Sequence, residues 1–174
     1  ILLPDVCYAF LEKDVHLLNM QNGLADNTVS AVYKDKEGFV WFGTRNGLSR
    51  YDGRQITNFE QSNSYPSISN LKEVFDGVLA FVDNGVFSAF DLKKERFLSV
   101  VSSSEKRIPS WGMLQKNDSL VWVISGSELH LMKRCASKEG ELRLRVQEKY
   151  TGWDNQDNLL VAITYSSDKK SICL

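Results

Sequence analysis

The sequence has few of the residues from which metal centres and nucleophilic active sites are usually built. Its 174 residues include two histidines, His16 and His130, and three cysteines, Cys7, Cys135 and Cys173, at wide and unrelated spacings. Because there is no C-x-x-C pair and no recognisable nucleophile–base motif, we expect no metal, no cofactor and no catalytic residue. The cysteines are interpreted as free thiols or, in an oxidising compartment, as a Cys7–Cys173 or Cys135–Cys173 disulfide.

The chain also lacks an excess of charge of either sign and any long apolar run. Its 21 basic and 22 acidic residues give a net charge of -1, which argues against the basic surface that a nucleic-acid-binding protein needs. No stretch approaches the roughly 18 consecutive apolar residues of a membrane span. With 43% apolar and 25% charged residues, the composition is typical of a folded globular domain.

The first residues allow two interpretations. The apolar stretch at 1–4 is followed by Cys7-Tyr8-Ala9, which is similar to the small-residue end of a secretory signal. On this interpretation, which we favour, residues 1–9 are the tail of an export signal. The alternative is that a first β-strand over residues 6–11 enters the fold directly.

Residues 23–52 have the pattern of short antiparallel strands joined by tight turns. Apolar and polar residues alternate from Val29 to Tyr33, which is typical of a half-buried strand. The apolar run at 39–42 predicts a strand buried on both faces. Strands are also predicted at 48–51 and 55–59, after the turn signals Asn46-Gly47 and Asp52-Gly53. Four such strands in about forty residues describe one blade of a β-propeller.

The same pattern recurs along the chain. The Asn-Gly pairs at 46 and 84 are 38 residues apart, and the aromatic-Asp pairs at 51 and 90 are 39 apart. Two landmarks with nearly the same spacing indicate a repeat. Blades are predicted at residues 24–60, 68–101 and 110–150, and a fourth begins at 159–174.

These repeats predict an all-β fold, a β-propeller with four-stranded antiparallel blades, of which residues 10–174 form about three and a half. A propeller ring typically contains four to eight blades. We therefore expect this chain to be a fragment of a larger ring, with the remaining blades of the same propeller as its neighbours. The open edge of its last strand predicts self-association when those blades are absent.

The first blade resembles the two-component regulator propeller repeat, which marks sensor domains of bacterial hybrid two-component systems. The second and third blades depart from that pattern; for example, Ala80 stands where the first blade has Trp41. The matching positions are Gly23-Leu24, Asn27, Val29, Asp35, Gly38, Trp41, Gly43-Thr44, Gly47-Leu48 and Tyr51-Asp52-Gly53.

The resemblance implies a domain organisation and a function. It implies seven-bladed propellers in the periplasm, the ectodomain of an inner-membrane protein, with a downstream membrane span and a cytoplasmic histidine kinase. It also implies that the signal is an oligosaccharide and that the intact sensor is a homodimer. The export-signal interpretation of residues 1–9 agrees with this location.

Ligands of propellers commonly bind at the loops between strands two and three and between successive blades. In the first group, Arg45 could hold a carboxylate or sulfate group of an acidic sugar. In the second group, Trp153 is the best candidate to stack on a sugar ring. The candidate ligand-binding residues are Arg45, Asn46, Tyr65, Asn84 and Trp153.

Four other residues are assigned to the scaffold. Trp41 and Trp122 lie in inner apolar strands, where packing between blades is the simpler interpretation. Asp35 and Asp52 lie in turns, where a carboxylate accepts backbone N–H groups, and we do not assign them to a glycosidase pair. A polysaccharide-acting propeller enzyme, either a lyase or a glycosidase, and a protein-interaction propeller remain the alternatives to a sensor.

Overall fold

The computed structural model describes residues 16–60, 66–102, 107–151, 164–165 and 172–173. This part of the chain is built from β-strands and one short 3₁₀ helix at Met20–Asn22, as the sequence predicts for an all-β protein. The strands are β1 (Val29–Lys34), β2 (Val40–Thr44), β3 (Gly47–Tyr51), β4 (Ile56–Phe59), β5 (Ile68–Phe75), β6 (Val78–Asp83), β7 (Val86–Asp91), β8 (Arg96–Ser102), β9 (Gly112–Asn117), β10 (Leu120–Ser125), β11 (Glu128–Cys135), β12 (Glu141–Tyr150), β13 (Thr164–Tyr165) and β14 (Ile172–Cys173).

The first four strands form one antiparallel meander, in the order β1-β2-β3-β4, and we call it the first blade. Its β2–β3 turn is made by Arg45 and Asn46, and Gly47 opens β3 with a φ of 113°. The prediction that residues 39–42 are buried on both faces is wrong. Trp41 is buried there, whereas Val40 and Phe42 are half-buried, because the second face of this sheet is only partly covered.

Strands β5 to β8 and β9 to β12 form two further antiparallel meanders, the second and third blades. In the second blade, Asn84 and Gly85 turn the chain with φ values of 48° and 76°. Two successive positive φ values match the twist of a two-residue hairpin, which explains the Asn-Gly signal in the sequence. Strands β13 and β14 pair antiparallel, where the sequence predicts that a fourth repeat begins.

The second and third blades are joined at their outer edges. Strand β12 pairs in parallel with β8, from Glu141 opposite Ser99 to Leu144 opposite Ser102. The N–H of Ser99 also donates to the carbonyl of Gly140 at 2.9 Å. The two blades therefore form one eight-stranded sheet, in the order β5-β6-β7-β8-β12-β11-β10-β9. The sequence gives no signal of this pairing except the unusual length of the fourth strand of the third blade.

The apolar core lies between consecutive blades. Strand β1 contacts β5, and β5 contacts β9, so the first strands of the blades lie side by side. Between the first and second blades the buried residues are Trp41, Leu48, Ile68, Leu71, Leu79, Phe81 and Phe90. Between the second and third blades they include Val74, Phe75, Val82, Phe87, Met113, Val123, Met132, Leu142 and Leu144.

The segment before β1 packs on the other face of the first blade. Leu24 is buried there, and the N–H of Ala25 donates to Ser49 Oγ at 3.2 Å. Asn58 Nδ2 donates to the carbonyl of Gly23 at 2.9 Å. The export-signal and strand interpretations of the first eleven residues lie outside the described residues. Cys135 is a free, half-buried thiol.

Candidate functional site

The predicted ligand residues of the first blade lie at an exposed hairpin turn. Arg45 and Asn46 are both exposed, and they are tied to the segment before β1 rather than directed to a cavity. The N–H of Arg45 donates to the carbonyl of Thr28 at 3.3 Å, and Asn46 Nδ2 donates to the carbonyl of Ala25 at 3.4 Å. Asn46 is therefore exposed, but its side chain already holds the segment before β1 against the turn.

Asn84 lies beside a separate small cavity at the corresponding turn of the second blade. Its Nδ2 donates to Oδ1 of Asp83 at 3.1 Å, and the same carboxylate oxygen accepts the N–H of Ser67 at 3.1 Å. The cavity has a volume of about 240 Å³ and is lined by Asp83, Asn84, Val86, Ser88 and Arg107. Neither Arg45 nor Asn46 contributes to it, so the structure does not bring the predicted residues into one site. Tyr65 and Trp153 lie outside the described residues.

A larger cleft lies between the first and second blades, at the turns that join strands one to two and three to four. Its volume is about 320 Å³. Phe39 and Trp41 contribute aromatic rings to it, and Arg50 lies across them. The guanidinium carbon of Arg50 is 4.6 Å from the centroid of the Phe39 ring and 5.5 Å from that of Trp41. The guanidinium therefore lies over the aromatic side chains, within the distance of a cation–π contact.

Charged side chains from both blades surround this cleft. Arg50 pairs with Glu95 at 2.5 Å, and Lys36 lies 3.2 Å from carboxylate oxygens of both Glu73 and Asp76. The hydrogen bond from Lys36, followed by one from Lys93, lowers the pKa of Asp76. The hydrogen bonds that Lys36 donates to Asp76 and Glu73 in turn raise the pKa of Lys36. Near neutral pH, Lys36 is therefore charged and donates hydrogen bonds, and Asp76 is ionised and accepts them.

Tyr33 extends the same group of polar side chains toward the inner strands. Its hydroxyl donates to Glu73 Oε2 at 3.3 Å, and burial, followed by the charge of Glu73, raises the pKa of Tyr33. A polar cavity of about 350 Å³ adjoins it, lined by Tyr33, Lys36, Glu73, Phe75, Asp76, Gln115 and Asp118. Sequence reasoning missed this side of the molecule, because contacts between residues about forty positions apart leave no local motif.

The residues that the sequence assigns to the scaffold have that role. Trp41 and Trp122 are 1% and 5% exposed, and Asp35 accepts the indole N–H of Trp41 at 2.7 Å. Asp52 Oδ1 accepts the N–H groups of Arg54 and Gln55, both at 2.7 Å, and these bonds lower its pKa. Each carboxylate is thus occupied in its own turn, as expected of a structural aspartate.

Among the described residues, no group of three or more His, Cys, Asp or Glu side chains is placed to hold a metal ion. In the same part of the chain, no helix has the length and apolar character needed to cross a membrane.

Comparison with known families and structures gives matches of two kinds. Residues 23–46 match the model of the two component regulator propeller family. This confirms the resemblance of the first blade, where the match covers the β1–β2 hairpin and the turn before β3. No curated protein matches the chain by sequence.

Several solved structures share the fold at low sequence identity. The extracellular domain of BT4673 from B. thetaiotaomicron, named as a one component system, matches with a TM-score of 0.64 and 16% identity over 86% of this chain. That of BT3049 from the same organism, named as a hybrid two component system, matches with a TM-score of 0.56 and 18% identity over 74% of this chain. Hsv2 of Kluyvelomyces marxianus matches with a TM-score of 0.51 and 11% identity over 71% of this chain.

The chain spans a minor part of each of these structures. It covers 23% of the BT4673 domain, 17% of the BT3049 domain and 46% of Hsv2. At these identities the matches establish the fold of the chain, which consists of four-stranded antiparallel blades of a β-propeller.

Proposed function

We propose, from the two component regulator propeller repeat in the first blade, that this chain is part of the ligand-sensing ectodomain of a hybrid two-component signalling protein. The match of residues 23–46 to that family carries the proposal. Two structures with the same fold are extracellular domains of signalling systems, which supports an extracytoplasmic location. The ligand is an oligosaccharide, the compartment is the periplasm, and the output is control of a distant histidine kinase.

The chain acts in this proposal as one sector of a larger ring. The remaining blades of the same propeller cover its open faces, and the intact sensor is a homodimer. A ligand bound between blades or propellers favours one of their relative arrangements. It biases the kinase by its differential affinity for two states. The role is binding and signalling, without turnover of the sugar.

We place the ligand in the cleft between the first and second blades. Phe39, which is half-buried, supplies the ring against which the apolar face of a sugar packs, while the buried Trp41 belongs to the core beside the cleft. Arg50 donates to hydroxyl oxygens, while Glu95 and Glu73 accept from hydroxyl hydrogens. This cleft is larger than the cavity at Asn84. The cavity at Asn84 lies on the opposite side of the blades, and it remains the alternative site that the sequence predicts.

Calorimetric titration of the ectodomain that contains this chain with defined oligosaccharides tests the proposal. We expect saturable binding, and chromatography of the sugar after incubation should recover it intact. Release of shorter sugars would show that the protein is a polysaccharide-acting enzyme and not only a sensor. Absence of binding to every glycan would favour a protein-interaction propeller.

Two arginine variants test which face binds the sugar. Arg50→Gln removes the guanidinium from the cleft between the first two blades, and Arg45→Gln removes a guanidinium from the turn on the opposite side. We expect Arg50→Gln alone to weaken binding, with both variants retaining the circular dichroism spectrum of the parent. The reverse result would move the site to the turns between the second and third strands.

A further inference from the structure

The cleft between the second and third blades has a chemistry unlike that of the cleft described above. We propose that Arg134 and Lys138, on the third blade, bind an oxyanion there: a carboxylate or sulfate group of a ligand. This cleft adjoins the proposed oligosaccharide site, since Asp76, Gly77 and Lys93 line both, but Arg134 and Lys138 line only this one. The proposal does not require that the sensed signal be a sugar.

The cleft forms where the turn before β8 meets the loop before β12, and its volume is about 280 Å³. The parallel pairing of β8 with β12 brings these two segments together. Five cationic side chains line the cleft, against four acidic ones. The cations are Lys93, Lys94, Arg96, Arg134 and Lys138, and the acids are Asp76, Asp91, Glu139 and Glu141.

Two of the four acids are occupied on the second-blade side. Asp76 lies 3.2 Å from the ammonium groups of both Lys36 and Lys93. Oδ1 of Asp91 accepts the backbone N–H groups of Lys93 at 3.0 Å and Lys94 at 3.1 Å. Asp76 is therefore paired with two lysines from other turns, and Asp91 is used to close its own turn; within the described residues neither pairs with a cation of the third blade.

The other two acids are also paired. Oε1 of Glu139 lies 2.6 Å from Lys94 Nζ and 3.1 Å from Arg96 Nη2, and the hydrogen bond from Lys94 is the largest cause that lowers the pKa of Glu139. Oε1 of Glu141 accepts from Arg143, with 2.9 Å to Nη2. Each of the four carboxylates thus already accepts a described N–H or ammonium group, and in the described part of the chain none of them pairs with Arg134 or Lys138.

Arg134 and Lys138 are the cations left over. Both side chains are exposed, and within the described part of the chain neither forms an ion pair. The Arg134 guanidinium lies 5.4 Å from the centroid of the Phe75 ring. Because Phe75 is fully buried, this contact holds one side of the exposed Arg134 guanidinium at the surface of the core. A planar fork of N–H donors suits two oxygens of one oxyanion.

Arg96 adds to the excess of donors beside them. Its Nε is buried and has no acceptor among the described residues. The loop before β12 also runs close to it, since a Cβ on Gly140 would lie 3.8 Å from the Arg96 guanidinium carbon. More N–H groups than acceptors and a net positive lining both favour an anion over a metal ion or a neutral molecule.

The test is titration of the same ectodomain with inorganic sulfate, sodium glucuronate and glucose at constant ionic strength. The double variant R134Q/K138Q removes the two proposed ligands. The control K133Q/R145Q removes two charges from a cross-strand pair on β11 and β12 that does not line the cleft. Circular dichroism confirms that both variants are folded.

We expect saturable binding of at least one anion and none of glucose. R134Q/K138Q should weaken anion binding about tenfold or more, because charge-assisted bonds are lost, and the control should change it by less than about twofold. Binding of both anions assigns the site to oxyanions in general, and binding of sulfate alone assigns it to sulfate groups. Equal weakening in the two variants, or no saturable binding of either anion, would overturn the proposal. Failure of oligosaccharide binding would leave this result unchanged.

Discussion

Trp41 and Asp35 are joined by a buried hydrogen bond of 2.7 Å from the indole Nε1 to Oδ2. The other carboxylate oxygen, Oδ1, accepts the backbone N–H of Phe39 at 2.9 Å. Asp35 therefore uses both oxygens, one to close its turn and one to fix the ring that packs against the second blade. Both positions belong to the repeat motif, and this hydrogen bond gives a physical reason why the motif contains Asp35 and Trp41 together.

The first prediction follows from this use of two oxygens. Asp35→Asn replaces one acceptor with an NH₂ donor that faces another N–H, so we expect a loss of about 1–3 kcal/mol in the free energy of unfolding. Asp52→Asn is the matched control, because Asp52 uses a single oxygen for both its bonds. Urea denaturation of the two variants should show a clearly larger loss for Asp35→Asn. Equal losses would contradict the assigned geometry.

The second prediction concerns the close approach of the first two blades at Gly43. A Cβ at this position would lie 2.7 Å from Ile68 Cγ2 and 2.8 Å from the Ile68 carbonyl oxygen. Gly43→Ala should therefore destabilise the chain by about 1–3 kcal/mol through overpacking, measured by thermal denaturation. Combining it with Ile68→Ala should give a smaller loss than the sum of the two single losses, because one of the clashes disappears. Strict additivity would rule out this contact.

The third prediction concerns the parallel pairing of β8 with β12. Residues 96–98 of β8 pair with β7, whereas residues 99–102 pair with β12. We expect amide hydrogen exchange at residues 99–102 to be about as slow as at 96–98, because without β12 their N–H groups would lie on an unpaired edge and exchange with water more readily. Mass spectrometry of exchanged peptides measures the two rates. Much faster exchange at 99–102 would mean that the blades are separate at their outer edges.

The fourth prediction is a pH dependence on the third blade. Glu128 lies 2.7 Å from Lys149 Nζ and 3.0 Å from His130 Nε2, and the bond from Lys149, followed by that from His130, lowers its pKa. A lowered pKa means that the ionised form is favoured in the folded state. Its contribution to stability is present above the ordinary pKa of glutamate, about 4.3, and is lost as the pH falls through the folded-state value.

Denaturation of the parent and of Glu128→Gln at neutral pH and near pH 3 measures this contribution. The variant should be less stable than the parent at neutral pH, and the difference should shrink in acid. Lys149 is half-exposed, so we expect a modest effect that falls with added salt. A difference that is the same at both pH values would show that Glu128 acts by packing rather than by charge.

Much of the fold could be predicted because its signals are local. Strand periodicity and turn chemistry give the four strands of the first blade to within two residues, and Asn84-Gly85 adopts the two positive φ values that the dipeptide favours. The scaffold roles of Asp35, Asp52 and Trp41 also follow from their positions in turns and inner strands. These are interactions between residues a few positions apart, so the sequence carries them directly.

The candidate sites could not be predicted in the same way. Arg45, Asn46 and Asn84 are exposed at their turns, yet they do not converge on one cavity. The two charged clefts instead combine residues that are about forty positions apart, such as Arg50 with Glu95 and Lys94 with Glu139. No local pattern distinguishes these residues from ordinary surface charges.

The sequence by itself determined the blade, its period and the family of its first copy, because these depend on alternation, turns and a motif within about thirty residues. Only the tertiary structure decided that β12 joins β8 and that cations collect beside this junction. The physical reason is that a strand's free edge accepts any partner that the packing brings alongside. The choice of that partner depends on how whole blades stack on their apolar faces, to which residues from the entire chain contribute.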